Sequence, residues 1–170
     1  MSKQFDSALF HAARDTFENL AFMLSLEEGD SAMMLPPARR TVTVNFSGPY
    51  SGQLVVSLSP TLMPEIATSM LGLENAEPSP TQQEDAFKEL ANVICGNLLP
   101  ALAGTQVVFA VSAPILMAEN ETPAASARTP AAATHLTLEN GVADLTLFVN
   151  HDSGNDLAAA ADQQISKECR

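Results

Sequence analysis

The sequence predicts an α+β fold: an antiparallel β-sheet covered by long helices. Three observations lead there. Two long stretches, residues 2–25 and 80–104, repeat their apolar residues at the helical period. Two other stretches, 39–59 and 135–150, alternate apolar and polar residues on either side of turn residues, as hairpins do. The elements then fall in an order, helix, hairpin, helix and helix, strand, hairpin, helix, that reads as two pseudo-repeated helix–strand–strand halves.

Taken in order, Phe5, Ala8, Leu9, Ala12, Ala13, Phe17, Leu20 and Leu24 give the first helix its buried side. Residues 27–37 hold Gly and a Pro pair and form a hinge. From Arg39 to Phe46, Val42, Val44 and Phe46 share one face of a strand and Thr41, Thr43 and Asn45 the other. Residues 47–52 are a turn, and 53–59 the partner strand. No Lys-Ser/Thr follows that Gly-rich turn and no helix opens there, so it is not a phosphate loop. Residues 60–71 make a short helix with Pro near its start and Gly72 at its end, burying Met63, Ile66, Ala67, Met70 and Leu71.

The stretch Pro80 to Gly104 is the centre of the chain. Thr81 is the expected N-cap, with Glu84 completing a capping box. Phe87, Leu90, Ala91, Ile94, Leu98 and Ala101 fall on one side of the helix. Asp85, Glu89, Asn92 and Gly96 fall on the other, within an arc of roughly 60° at 100° per residue. An acid, an acid, an amide and a glycine in line are an ordinary solvated face, or a surface shaped for a partner. Asn and Gly are poor helix formers by roughly 0.5–1 kcal/mol against Ala, and an exposed helix needs neither. Gly96 leaves bare backbone beside Glu89 and Asn92. It also stands four residues before Pro100, where a small residue eases a kink.

Residues 105–112 are expected to be a central strand, with Pro114 marking its end or an edge. Residues 118–134 form an exposed loop rich in Ala, Pro, Ser and Thr. His135–Leu138 and Val142–Asn150 flank Glu139-Asn140-Gly141 as a hairpin. Residues 153–169 form a closing helix capped by Ser153 or Asp152, with Leu157, Ala160, Ala161 and Ile165 inward.

Composition limits the function. The length of 170 residues suits a single domain spanning 1–170, with 46% hydrophobic residues to fill its core. Twenty acids against eight bases give a net charge of −12, which excludes a nucleic-acid or anionic-membrane surface. No apolar run reaches a membrane span of about 20 residues, and residues 1–15 lack a signal-peptide core. Cys95 and Cys169 are expected as free thiols of a cytoplasmic protein. His11, His135 and His151 are too scattered for a metal site, and no nucleophile has a base in a recognisable arrangement. Cys95, on the flank of the acidic face, has no activating charge.

The pattern Asp85-x3-Glu89-x2-Asn92 with Pro114 about one strand later, and the run ELANVICGN around it, resembles the signature of the CheC/CheX-type phosphatases of bacterial chemotaxis and related two-component signalling. Some relatives carry the motif twice; Glu18 and Asn19 of the first helix are adjacent rather than three apart, so this chain carries one copy. From about residue 5 to 165 the resemblance implies the CheC/CheX-like sheet-and-helix layout. It implies hydrolysis of the aspartyl phosphate of a CheY-like response regulator, with Asn92 positioning water and Glu89 contacting the lysine beside the phosphorylation site. Asp85 and Gly96 would serve binding, and Pro114 would shape the backbone below the helix. Mg2+ would be held by the regulator's own acids and no cofactor by this chain. Family members are known as monomers and as homodimers. A docking module that binds a receiver without hydrolysis is the rival reading, and an unrelated ligand-binding α+β domain a third.

Overall fold

The computed structural model describes residues 2–26, 39–119 and 121–150. The expected hinge at 27–37 and the closing helix at 153–169 lie outside them.

Helix α1 (Ser2–Leu20) is followed by a two-residue strand, β1 (Ser25–Leu26), and the long strands β2 (Arg40–Ser47) and β3 (Ser51–Leu58). Helices α2 (Leu62–Leu71) and α3 (Pro80–Ala103) come next, then two short strands, β4 (Ala110–Val111) and β5 (Ile115–Leu116). A 3-10 turn (Ala124–Ala127) precedes the closing hairpin of β6 (Ala132–Leu138) and β7 (Gly141–Asn150). All pairings are antiparallel, in the order β1-β6-β7-β3-β2-β4, with β5 also on β2. The two hairpins meet where β3 pairs with β7 along its whole length, Ser51 with Asn150 through Leu58 with Ala143.

Strand alternation puts Val42, Val44, Phe46, Leu54, Val56, Leu58, Leu145 and Leu147 on one face. That face packs with Leu9, Ala13 and Phe17 of α1, Ile66 of α2 and Phe87, Leu90, Ile94 and Leu98 of α3 in one core. On the other face Val55 and Phe148 lie under Ala125 of the 3-10 turn, so the expected exposed loop at 118–134 has a buried foot. Among the described residues no helix is long and apolar enough to cross a membrane.

The structure corrects several local expectations. Helix α1 stops at Leu20 because Phe22 turns left-handed, and Ala21 N–H and Met23 N–H both donate to Phe17 O. Leu24 is therefore in solvent rather than in the core. In α2 Leu71 is exposed and Leu62 is buried in its stead. Ser51 and Gly52 already belong to β3, so the first hairpin turn is shorter than six residues.

Residues 105–112 do not form a central strand. Only Ala110–Val111 pairs, with Ser47 and Phe46 at the edge of β2, and Val108 is exposed. Pro114 cannot donate to a ladder, so the chain leaves β2 and rejoins it at Ile115–Leu116. Phe109 stacks edge-on to Phe46 and Tyr50 beside this edge.

The second hairpin forms, but β6 begins at Ala132, three residues inside the expected loop at 118–134, its turn is Glu139-Asn140, and Gly141 pairs with Leu138 as the first residue of β7. Neither Asn140 nor Gly141 has positive φ, so glycine's role is not the turn. A Cβ at Gly141 would lie 2.8 Å from Ser59 Cβ and 2.9 Å from Leu62 Cγ; the bare backbone lets α2's entry close over the hairpin.

Candidate functional site

Helix α3 carries every candidate residue except Pro114. Its start is not capped by Thr81. Pro80 has no N–H and a preset φ, which suits the first helical position, so the cap must precede it. Ser79 fills that place: its Oγ accepts from Gln82 N–H at 3.3 Å, and its N–H donates to Gln82 Oε1 at 2.8 Å. Glu84, released from capping, accepts from Arg40 Nη2 at 2.8 Å. The same guanidinium reaches Glu119 at 3.6 Å. Arg40 thus joins β2, the first turns of α3 and the segment just beyond Pro114. The sequence offered no sign of that clamp, because its three members lie far apart in the chain.

The helix holds its orientation by burial. Phe87, Leu90, Ala91, Ile94, Cys95 and Leu98 are buried, whereas Ala101, expected among them, is exposed near the helix end. Asn97 donates to Thr16 Oγ1 at 3.3 Å, and Thr16 Oγ1 in turn donates to Ala12 O at 2.7 Å, tying α3 to α1. Burial pushes the Cys95 thiol up to about 12, so it stays protonated and inert at neutral pH.

Outward, Asp85, Glu89 and Gly96 are exposed and Asn92 is half-buried between them. Lys88 Nζ lies 2.7 Å from Asp85 Oδ1, an ion pair spaced i,i+3 along the helix. Asp85's side chain is 64% exposed, so the pair adds no more than a few tenths of a kcal/mol to stability. Its larger consequence is local charge: the pair offsets one of the two carboxylates on this face. The i,i+3 spacing of Lys88 from Asp85 is the sequence signal for this pair. Among the described residues Glu89 enters no ion pair, which leaves its carboxylate open to a cation from elsewhere.

Nothing lies within 4 Å of where a Cβ on Gly96 would stand. The absence of a side chain there is not demanded by packing within the fold. Pro114 is half-buried between β4 and β5, whose partner strand β2 packs beneath α3. The four helix residues therefore share one solvent-facing stripe on a helix anchored along its other side, and the Pro114 segment flanks that helix. Such a stripe offers an amide with one donor and one acceptor function, a carboxylate, and a flat backbone patch to a flat partner. Among the described residues no group of three or more His, Cys, Asp or Glu could hold a metal ion.

A family model described as chemotaxis phosphatase CheX matches residues 40–137. Comparison with curated proteins found no match. Among solved structures, the chain is similar to the chemotaxis protein CheX from Vibrio vulnificus, with TM-score 0.66 and 16% identity over 86% of this chain and 96% of that one. It is similar to a CheX from Desulfovibrio desulfuricans, with TM-score 0.64 and 14% identity over 86% and 99%. It is also similar to a chain of a CheX–CheY–BeF3–Mg2+ complex from Borrelia burgdorferi, with TM-score 0.59 and 14% identity over 85% and 97%.

Proposed function

The chain belongs to the chemotaxis phosphatase CheX family, and from that premise we propose that it hydrolyses the aspartyl phosphate of a CheY-like response regulator. The observation that carries the reading is the pair of an exposed Glu89 and a half-buried Asn92, three residues apart on one face of a helix whose other side is locked in the core. The Borrelia burgdorferi complex of a CheX with CheY, BeF3 and Mg2+ supports the choice of partner.

The chemistry asks little of the phosphatase. A water oxygen forms a bond to phosphorus as the bond from phosphorus to the aspartyl oxygen breaks; the products are the free carboxylate and inorganic phosphate, which takes the water's proton. Catalysis is mostly positioning and charge stabilisation. Asn92 accepts one hydrogen bond from the attacking water and donates another to the transferring group. Glu89 meets the regulator's lysine, which keeps its own negative charge from opposing the phosphoryl group. Mg2+ would be held by the regulator's own acids, so the reaction asks no metal ligand of this chain. The protein works in the cytoplasm, where such regulators are phosphorylated.

The test is phosphate release from an acetyl-phosphate-charged receiver, with and without the protein. Acceleration at substoichiometric amounts supports the phosphatase; tight binding without acceleration favours the docking module instead.

Two variants probe the face by affinity. Glu89→Ala is expected to weaken receiver binding about tenfold and to lower the rate as well. The loss should shrink in high salt, because part of the contact is between exposed charges. A loss that is unchanged by salt would count against a lysine partner. Gly96→Leu is expected to weaken binding while leaving the fold intact, since the site is open and Leu is the better helix former by roughly 1 kcal/mol. Unchanged affinity at normal stability would mean that Gly96 serves only to relieve Pro100.

A further inference from the structure

A cavity of about 640 Å3 opens at the end of the fold where α1 stops, between α2, the connector before α3 and the β6–β7 turn. It is separate from the motif stripe. Gln83 is the residue of α3 that lines it, and stands roughly 160° round the helix from Asp85.

Its walls combine two chemistries. Phe22, Leu24 and Pro64 give it an apolar side, and Phe22 and Leu24 are 76% and 73% exposed. Glu65, Glu77 and Glu139 give it an acidic side, and among the described residues no Lys, Arg or His lines it. Asn140 donates to Glu65 at 2.6 Å and accepts at its carbonyl from Thr61 at 2.8 Å, which fixes the hairpin turn against α2.

Phe22 is the unusual member. Its φ is 54°, the left-handed conformation that ends α1, and glycine is the residue that takes that position without strain. The fold therefore holds a large aromatic ring in solvent at a backbone position that disfavours it. Residues kept in such a state mark sites where something other than folding selects them.

We propose that this groove docks a basic amphipathic segment of a partner protein, its apolar side chains against Phe22, Leu24 and Pro64 and its Lys or Arg side chains opposite the three glutamates. Charge decides the occupant. A second copy of this chain brings a net −12 with only eight bases and would be repelled. A cationic segment gains from the acidic wall and covers the exposed ring.

The test measures anisotropy of a short fluorescent peptide alternating Leu and Lys, beside its counterpart alternating Leu and Glu, against the full chain. The Leu/Lys peptide should bind and the Leu/Glu peptide should not. Phe22→Gly should weaken binding by about tenfold or more, the loss typical of a central aromatic anchor, while raising Tm by removing the strain. Leu24→Ser, at a side chain already in solvent, should weaken it too and keep the fold. Glu77→Gln with Glu139→Gln should weaken binding and flatten its salt dependence. Asp15→Asn with Glu18→Gln, on α1 and outside the groove's lining, should leave it unchanged. Equal affinity for wild type and Phe22→Gly, or equal losses from the remote and groove acids, would show mere attraction to an acidic protein and overturn the proposal. So would concentration-dependent self-association that Phe22→Gly abolishes, since a second copy would then be the occupant.

Discussion

Asn92→Ala is expected to cut the rate of receiver dephosphorylation by about two orders of magnitude or more, the scale found when one preorganised hydrogen-bonding group is removed. Affinity for the receiver should change little, because the amide does its work on the water and the transferring group in the transition state. The structure makes the variant clean. Asn92 is only half-buried and lies on the stripe opposite the core, so alanine removes little packing and improves helix propensity. The measurement is steady-state turnover of a charged receiver together with its titrated affinity. Full activity in Asn92→Ala would end the water-positioning mechanism and leave the docking module as the better reading. Comparison with Glu89→Ala sharpens this: one variant should move the rate alone, the other affinity and rate together.

Phe87→Ala is expected to cost about 3–5 kcal/mol of unfolding free energy, the range for truncating a fully buried Phe. Phe87 has no exposed surface and sits two residues from Asp85 and Glu89 on the opposite side of the same helix. It is one of the side chains that decide which way the motif stripe points. Urea unfolding monitored by circular dichroism gives the value. A loss below about 1 kcal/mol would contradict the buried anchor, since a surface site is worth no more than that. Phe87→Leu, which keeps most of the volume, should recover much of the difference.

The main helix, its two faces and both hairpins were legible in the chain because each depends on periodicity within a dozen or so neighbouring residues. The same holds for the candidate site: Asp85, Glu89, Asn92 and Gly96 share a stripe by spacing alone. That is also why the family signature is legible in the sequence. Apolar composition misled at 105–112, where Val108 and Val111 are exposed edge residues rather than parts of a central strand. The Asn-Gly pair pointed correctly to a hairpin but for the wrong reason. Gly141 is needed for the close approach of Ser59 and Leu62, residues some 80 positions away in the chain.

Other features had no local signal. Arg40 joins Glu84 and Glu119 only because β2, α3 and the segment after β5 converge. Phe22 falls inside the expected helix 2–25 with no local sign that the helix ends before it, and the acidic groove gathers Glu65 from α2, Glu77 from the connector before α3 and Glu139 from the β6–β7 turn. Helix faces and strand alternation come from backbone geometry, which neighbours in sequence share. Clamps, grooves and the edge of a sheet come from which surfaces find each other in three dimensions, and local spacing carries no record of that choice.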